Sequence, residues 1–163
     1  MTAARPFQLL AIAAFLALIA PATAGPRTGF KKFAANYDGG YNVNGPELQS
    51  GGASKIVFRS SRNGGAALLR WKNTFYNEVG ARSNVRTVWR FLPDGTFTAN
   101  TIDPTRRGLS ATGTYVLKNR RVFLDVTSGD TSMSGTVRLV GGGALEITAQ
   151  VIGNLVEFHG GRK

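Results

Sequence analysis

The sequence predicts an all-β fold, a single antiparallel up-and-down β-barrel of eight to ten strands. Three observations carry that expectation. Short runs alternate bulky apolar with polar residues and favour Val, Thr, Phe, Tyr and Trp, the pattern of half-buried strands. Gly, Asn and Asp punctuate these runs, and all 21 glycines lie beyond residue 24. No segment beyond that point carries the apolar stripe of an amphipathic helix. Strands joined by consecutive hairpins form a meander, and a meander of this size hides its edges by closing.

The chain opens differently. Arg5 precedes the twelve-residue apolar run LLAIAAFLALIA (9–20), then Pro21 and the small residues Ala22-Thr23-Ala24. That order is the order of a secretory signal, cut after Ala24. The run is too short for a membrane-spanning helix, which needs ~20 apolar residues. The expected destination is therefore secreted or periplasmic, with no transmembrane span once residues 1–24 are gone. Taking 24 residues from 163 leaves 139, enough for one domain with a sizeable core. There is no cysteine, so packing alone must hold an exported fold, and no thiol is present to carry a lipid. Lys and Arg number 20 against 9 acids, a formal charge of +11 that becomes +10 without Arg5. Such a balance suits polyanions and acidic surfaces.

Residues 25–36 are a lead-in, with GFKKFAAN (29–36) as a short helix, and 37–163 form the barrel domain. NVNGPELQSGGAS (42–54) reads as a long loop or a strand end followed by one. The strands fall at 37–43, 55–61, 66–76, 85–92, 96–102, 110–117, 121–127, 132–140, 144–152 and 155–159. Their turns fix the register. Pro93-Asp94-Gly95 as a three-residue loop with Gly95 left-handed sets Phe91 against Phe97 and Trp89 against Ala99. Asn63-Gly64 as a two-residue turn sets Phe58 against Leu69 and Ile56 against Trp71. Asn119-Arg120 sets Leu117 against Val122, Tyr115 against Leu124, and Val116 against Phe123 on the outside. Gly141-Gly142-Gly143 sets Leu139 against Leu145, Val137 against Ile147, and Arg138 against Glu146 on the outer face. Gly153-Asn154 as a type II′ turn sets Val151 against Val156 and Ala149 against Phe158. Five hairpins thus turn mostly apolar faces the same way, an agreement that outweighs any one of them.

WRFLPDGTF (89–97), followed by Gly113-Thr114-Tyr115, resembles the lipocalin-like domains of small exported bacterial proteins, which read Trp-x-Phe, an Asp-Gly-Thr-Phe hairpin and a Gly-x-Tyr strand. The resemblance implies a barrel and a small apolar ligand. The chain departs from true lipocalins in having YDGGYNV on its first strand, with no Gly-x-Trp, and in ending HGGRK with no C-terminal helix.

Function is expected to be binding rather than catalysis. His159 stands alone on the outer face near Thr148, Asp94 and Asp103 sit in turns that favour Asp locally, and no register brings two carboxylates together. No glycine cluster leads from a strand into a helix, so there is no phosphate loop. With no Cys and one His, no metal or other cofactor is expected. The inward candidates are Phe58, Trp71, Phe75, Trp89, Phe91, Phe97 and Tyr115, with Leu69, Leu117, Leu139 and Ile147. They line either a lumen for a small apolar ligand or a filled core. The outward candidates are Lys55, Arg59, Arg70, Lys72, Arg86 and Arg90, with Lys55 directly opposite Lys72. They form either a patch for an anionic polymer or lipid surface, or a solvated face. Outward Lys and Arg argue against an outer-membrane barrel, where each would face lipid at ~2–4 kcal/mol near the midplane. The sequence leaves the oligomeric state open.

Overall fold

A computed structural model of the chain describes residues 29–45, 49–76, 82–102, 108–129, 133–151 and 153–163. The expected signal segment 1–24 and Asp103 lie outside these residues. A 3-10 turn, Gly29–Phe33, precedes ten strands: β1 (Ala35–Asn44), β2 (Gln49–Ser60), β3 (Ala67–Tyr76), β4 (Arg82–Phe91), β5 (Thr96–Ile102), β6 (Leu109–Lys118), β7 (Arg121–Gly129), β8 (Met133–Leu139), β9 (Leu145–Val151) and β10 (Asn154–Arg162). Each pairs antiparallel with the next, and β10 returns to β1, closing the barrel. Among the described residues no helix is long and apolar enough to cross a membrane.

Three of the five hairpins take the expected geometry. Phe91 faces Phe97, with Gly95 at φ 87°. Asn119 and Arg120 both take positive φ, 49° and 62°, as a type I′ turn requires. Leu139 faces Leu145 across the glycine triplet. At Asn63-Gly64 the register is as expected, Phe58 against Leu69, but the loop is wider. Ser61 N–H bonds the Ala66 carbonyl, and the Asn63 side chain accepts from the Ser61 hydroxyl and the Gly65 N–H.

Two expectations are corrected. The segment 42–54 is mostly strand: β1 runs to Asn44 and β2 begins at Gln49. Its glycines read as loop, but a Cβ at Gly52 would lie 2.9 Å from the Thr74 carbonyl and 3.4 Å from the Tyr41 ring. Those glycines permit close strand approach. The last hairpin is shifted by two residues, placing Ala149 opposite Val156 and Ile147 opposite Phe158. The positive φ falls on Gly153 at the second loop position, whereas a type II′ turn needs it at the first. A two-residue slip keeps every side chain on its face but changes its partner.

The 3-10 turn plugs one end of the barrel. Phe30 and Phe33 are 1% and 0% exposed. Phe30 meets Phe58, Phe91 and Tyr115 at ring separations of 6.0, 5.2 and 5.4 Å, and Phe33 stacks on Phe58 at 5.4 Å. Tyr37 hydroxyl donates to the Phe33 carbonyl at 2.7 Å, tying the plug to β1. Of the inward candidates, Phe58, Trp71, Trp89, Phe91 and Phe97 are buried and Tyr115 is half-buried. Phe75 pairs with Ser83 through its backbone, and its side chain lies outside what is described.

Two outcomes test this packing. Phe91→Ala removes a ring at the centre of the plug cluster and is expected to cost ~3–5 kcal/mol in urea denaturation. Gly39→Ala would drive a Cβ onto the His159 carbonyl across the β1–β10 seam. It should lower the denaturation midpoint, whereas Gly141→Ala, with nothing within 4 Å, should lower it far less.

Candidate functional site

On β2, β4, β5, β6 and β8 the inward side chains shorten from the plugged end toward the far end, where β1, β3, β5, β7 and β9 finish; β1, β3 and β10 do not follow, carrying Tyr41 and Val43, Trp71 and Asn73, and Phe158 and Val156. Alternation puts every second residue inside. Read toward the far end, β2 presents Phe58, Ile56, Ser54 and Gly52. On β4 the series is Phe91, Trp89, Thr87; on β5 it is Phe97, Ala99, Thr101. β6 presents Tyr115, Gly113, Ala111; β8 presents Leu139, Val137, Gly135; β9 presents Leu145, Ile147, Ala149. Rings also lean toward the plug. A Cβ on Gly160 would strike the Phe158 ring, and one on Gly113 would lie 2.8 Å from the Phe97 ring. The plugged half is a filled core.

Burial is less even in the far half: Tyr41, Val43, Ser54 and Ala149 are buried there, whereas Thr87, inward between Trp71 and Thr101, and Gly135 are partly exposed. Trp71, Trp89 and Phe158 form a floor between the two halves, with edge-on ring pairs at 6.3 and 5.9 Å.

The wall above that floor is polar but uncharged among the described residues. Trp71 Nε1–H donates to Ser54 Oγ at 2.6 Å, and Ser54 donates to Asn73 Oδ1 at 2.6 Å. Thr87 and Thr101 share a hydroxyl hydrogen bond of 3.1 Å, and Tyr41 hydroxyl donates to the Thr74 carbonyl at 3.2 Å. Burial pushes the Tyr41 phenol up, opposed by its Ser50 hydrogen bond, so it stays neutral. Sequence reasoning missed Ser54, Asn73, Thr87 and Thr101. Their signal was polar residues at inward positions of otherwise apolar strands.

All six outward basic candidates are on the outer face of β2–β4. Lys55, Lys72 and Arg86 stand side by side across three strands; Arg70 and Arg90 flank them, and Arg59 lies opposite Leu68. Among the described residues, Arg70, Lys72, Arg86 and Arg90 have no ion-pair or hydrogen-bond partner. Like charges directly opposite cost ~0.2–1 kcal/mol per pair. The patch has one acid at its edge that the sequence did not place. Asp38 on β1 lies opposite Lys55, 3.9 Å away, and contacts Lys163 at 2.5 Å. Arg59 is also engaged, donating to Asn36 Oδ1 at 3.0 Å.

The shifted last hairpin changes a third region. His159 lies opposite Glu146, not near Thr148, and its Nδ1 is 3.2 Å from Glu146 Oε1. Arg138 holds the other carboxylate oxygen. Glu146 and Glu157 line the same outer depression of about 430 Å³, so two carboxylates do share a locality. No hydroxyl or thiol nucleophile bonds His159, and among the described residues no group of three His, Cys, Asp or Glu could hold a metal.

No protein-family model matches the chain, and no curated protein matches it. Among solved structures it is similar to the crystal structure of Rv2717c from M. tuberculosis, with 12% identity and a TM-score of 0.59. The match covers 86% of this chain and 98% of that one. At that identity the likeness shows the fold alone.

The Asp38 carboxyl is held below its ordinary value, first by the Lys163 hydrogen bond, against some desolvation, and then by the charges of Lys163 and Lys55. A carboxyl lowered by folding contributes stability that is present above its unfolded pKa and lost as pH falls through the folded one. Lys163→Gln should raise the Asp38 midpoint toward the usual carboxylate range in an NMR titration and shrink that acid-sensitive contribution.

Proposed function

We propose that the protein is an exported, non-catalytic binding module that takes up a small, largely apolar molecule in the far half of its barrel. One observation carries this reading: on β2, β4, β5, β6 and β8 the inward side chains are large at the plugged end and shorten to Ser, Gly, Ala and Thr beyond a floor of Trp71, Trp89 and Phe158. Ligand sites in barrels have this form, an apolar pocket with a few placed polar groups. The two tryptophans of the chain both belong to that floor, so their fluorescence reports on occupancy.

The test uses N-phenyl-1-naphthylamine, a neutral apolar dye. Saturable one-to-one uptake with quenching of tryptophan emission is expected. Ala99→Leu should fill the space, abolish uptake and leave stability nearly unchanged. In a packed core the same change would cost ~1–3 kcal/mol. A wild-type protein that takes up no dye, or an Ala99→Leu variant that is strongly destabilised, contradicts the reading.

A second reading rests on a separate observation, the four unpartnered cations of β2–β4. Repulsion that folding tolerates without local compensation is consistent with an anionic polymer or lipid surface as partner. Lys72→Glu with Arg90→Glu should abolish retention on heparin and on phosphatidylglycerol vesicles while leaving dye uptake intact. Full retention by the double variant removes this reading.

A further inference from the structure

The three polar side chains beside the tryptophan floor are joined by hydrogen bonds whose directions chemistry fixes. Indole has one N–H and no acceptor, and Trp71 gives it to Ser54 Oγ at 2.6 Å. The Ser54 proton then needs an acceptor and finds Asn73 Oδ1 at 2.6 Å. The side-chain carbonyl of Asn73 is thereby engaged by Ser54, and among the described residues its two amide N–H groups have no partner. Asn73 is only 8% exposed and faces inward, one inward position beyond Trp71 toward the far end. Its amide nitrogen is not sealed into the wall, because no buried polar atom of Asn73 is left orphaned. It is therefore accessible, on the inward side of β3, as a donor without an acceptor among the described residues. A donor of this kind, left unmatched when water is displaced, weakens binding by about tenfold.

The same wall discriminates by charge. Among the described residues the inward positions above the floor carry no Lys, Arg, His, Asp or Glu. A carboxylate, phosphate or ammonium buried there would have no counter-ion, and an unpaired buried ion is far more costly than an unpaired neutral group.

We propose that the barrel interior binds an uncharged, mostly apolar molecule bearing a carbonyl-type oxygen (a ketone, ester or amide). Its oxygen accepts from the Asn73 amide, and its apolar part lies on Trp71, Trp89 and Phe158. This inference rests on the lumen reading above and names the chemical class of its ligand. Asn73 is a specificity-determining residue, held in orientation by Ser54 and Trp71.

The experiment displaces bound N-phenyl-1-naphthylamine with 2-nonanone, 1-nonene or nonanoate at pH 8, in the wild type and in Asn73→Leu. The ketone should compete about tenfold better than either the alkene or the carboxylate. In Asn73→Leu the ketone and the alkene should compete equally for the bound dye. Asn73→Asp keeps an acceptor for Ser54 but replaces the donors with oxygen, so it should also lose the ketone preference; it serves where Asn73→Leu does not fold. Dye uptake with no ketone preference in the wild type, or a preference that survives both substitutions, overturns the Asn73 anchor and leaves the lumen reading standing. A nonanoate that outcompetes the ketone overturns the neutral-ligand class. Absence of dye uptake overturns the lumen reading and this inference together.

Discussion

The β1–β10 ladder is the interaction on which the rest of the structure depends. It pairs Tyr37 through Asn44 with Leu155 through Arg162 and turns a ten-strand meander into a ring with no free edge. Without it, two long strands would present unpaired backbone groups to solvent and to other chains. Backbones approach closely at the seam: a Cβ on Gly39 or Gly160 would meet the facing strand's backbone. Closure sets the inner diameter, and the inner diameter decides what side chains must fill it.

Given that diameter, the two halves solve different problems. At one end the ring is stoppered by Phe30 and Phe33, carried by residues that precede the barrel and anchored through Tyr37. Interlocked rings pack there in a chain with no disulfides. That concentration of stability lets the other half be built from small and hydroxyl side chains without unfolding the domain. The uncharged polar chain from Trp71 through Ser54 to Asn73 belongs to that second half. Cations stay on the outside, where solvent screens their mutual repulsion.

Much of this was legible in the sequence, because alternation and turn residues are local signals. Trp89, Phe91 and Phe97 point inward and Arg70 and Arg90 outward as the Gly95 and Asn63-Gly64 registers require. The glycine-rich start of β2 was not legible, since Gly51 and Gly52 lack the side chains that mark a strand and serve a close contact visible only in three dimensions. The last hairpin was misregistered because Gly153 fits either of two loop positions and both keep the same face inside. That error hid the meeting of His159 with Glu146. The polar inner wall was hidden for a different reason. Ser54 and Asn73 come from different strands, and their hydrogen bond exists only once β2 and β3 pair.

The distance in sequence between the two sides of the seam has a kinetic corollary. Tyr37 cannot meet Arg162 until β10 has emerged, so the ring cannot close while only the earlier strands are available. A topology whose decisive contact joins opposite ends of the chain has high contact order and folds slowly. Until β10 pairs with β1, the earlier strands form an open sheet whose unpaired edges can meet other chains.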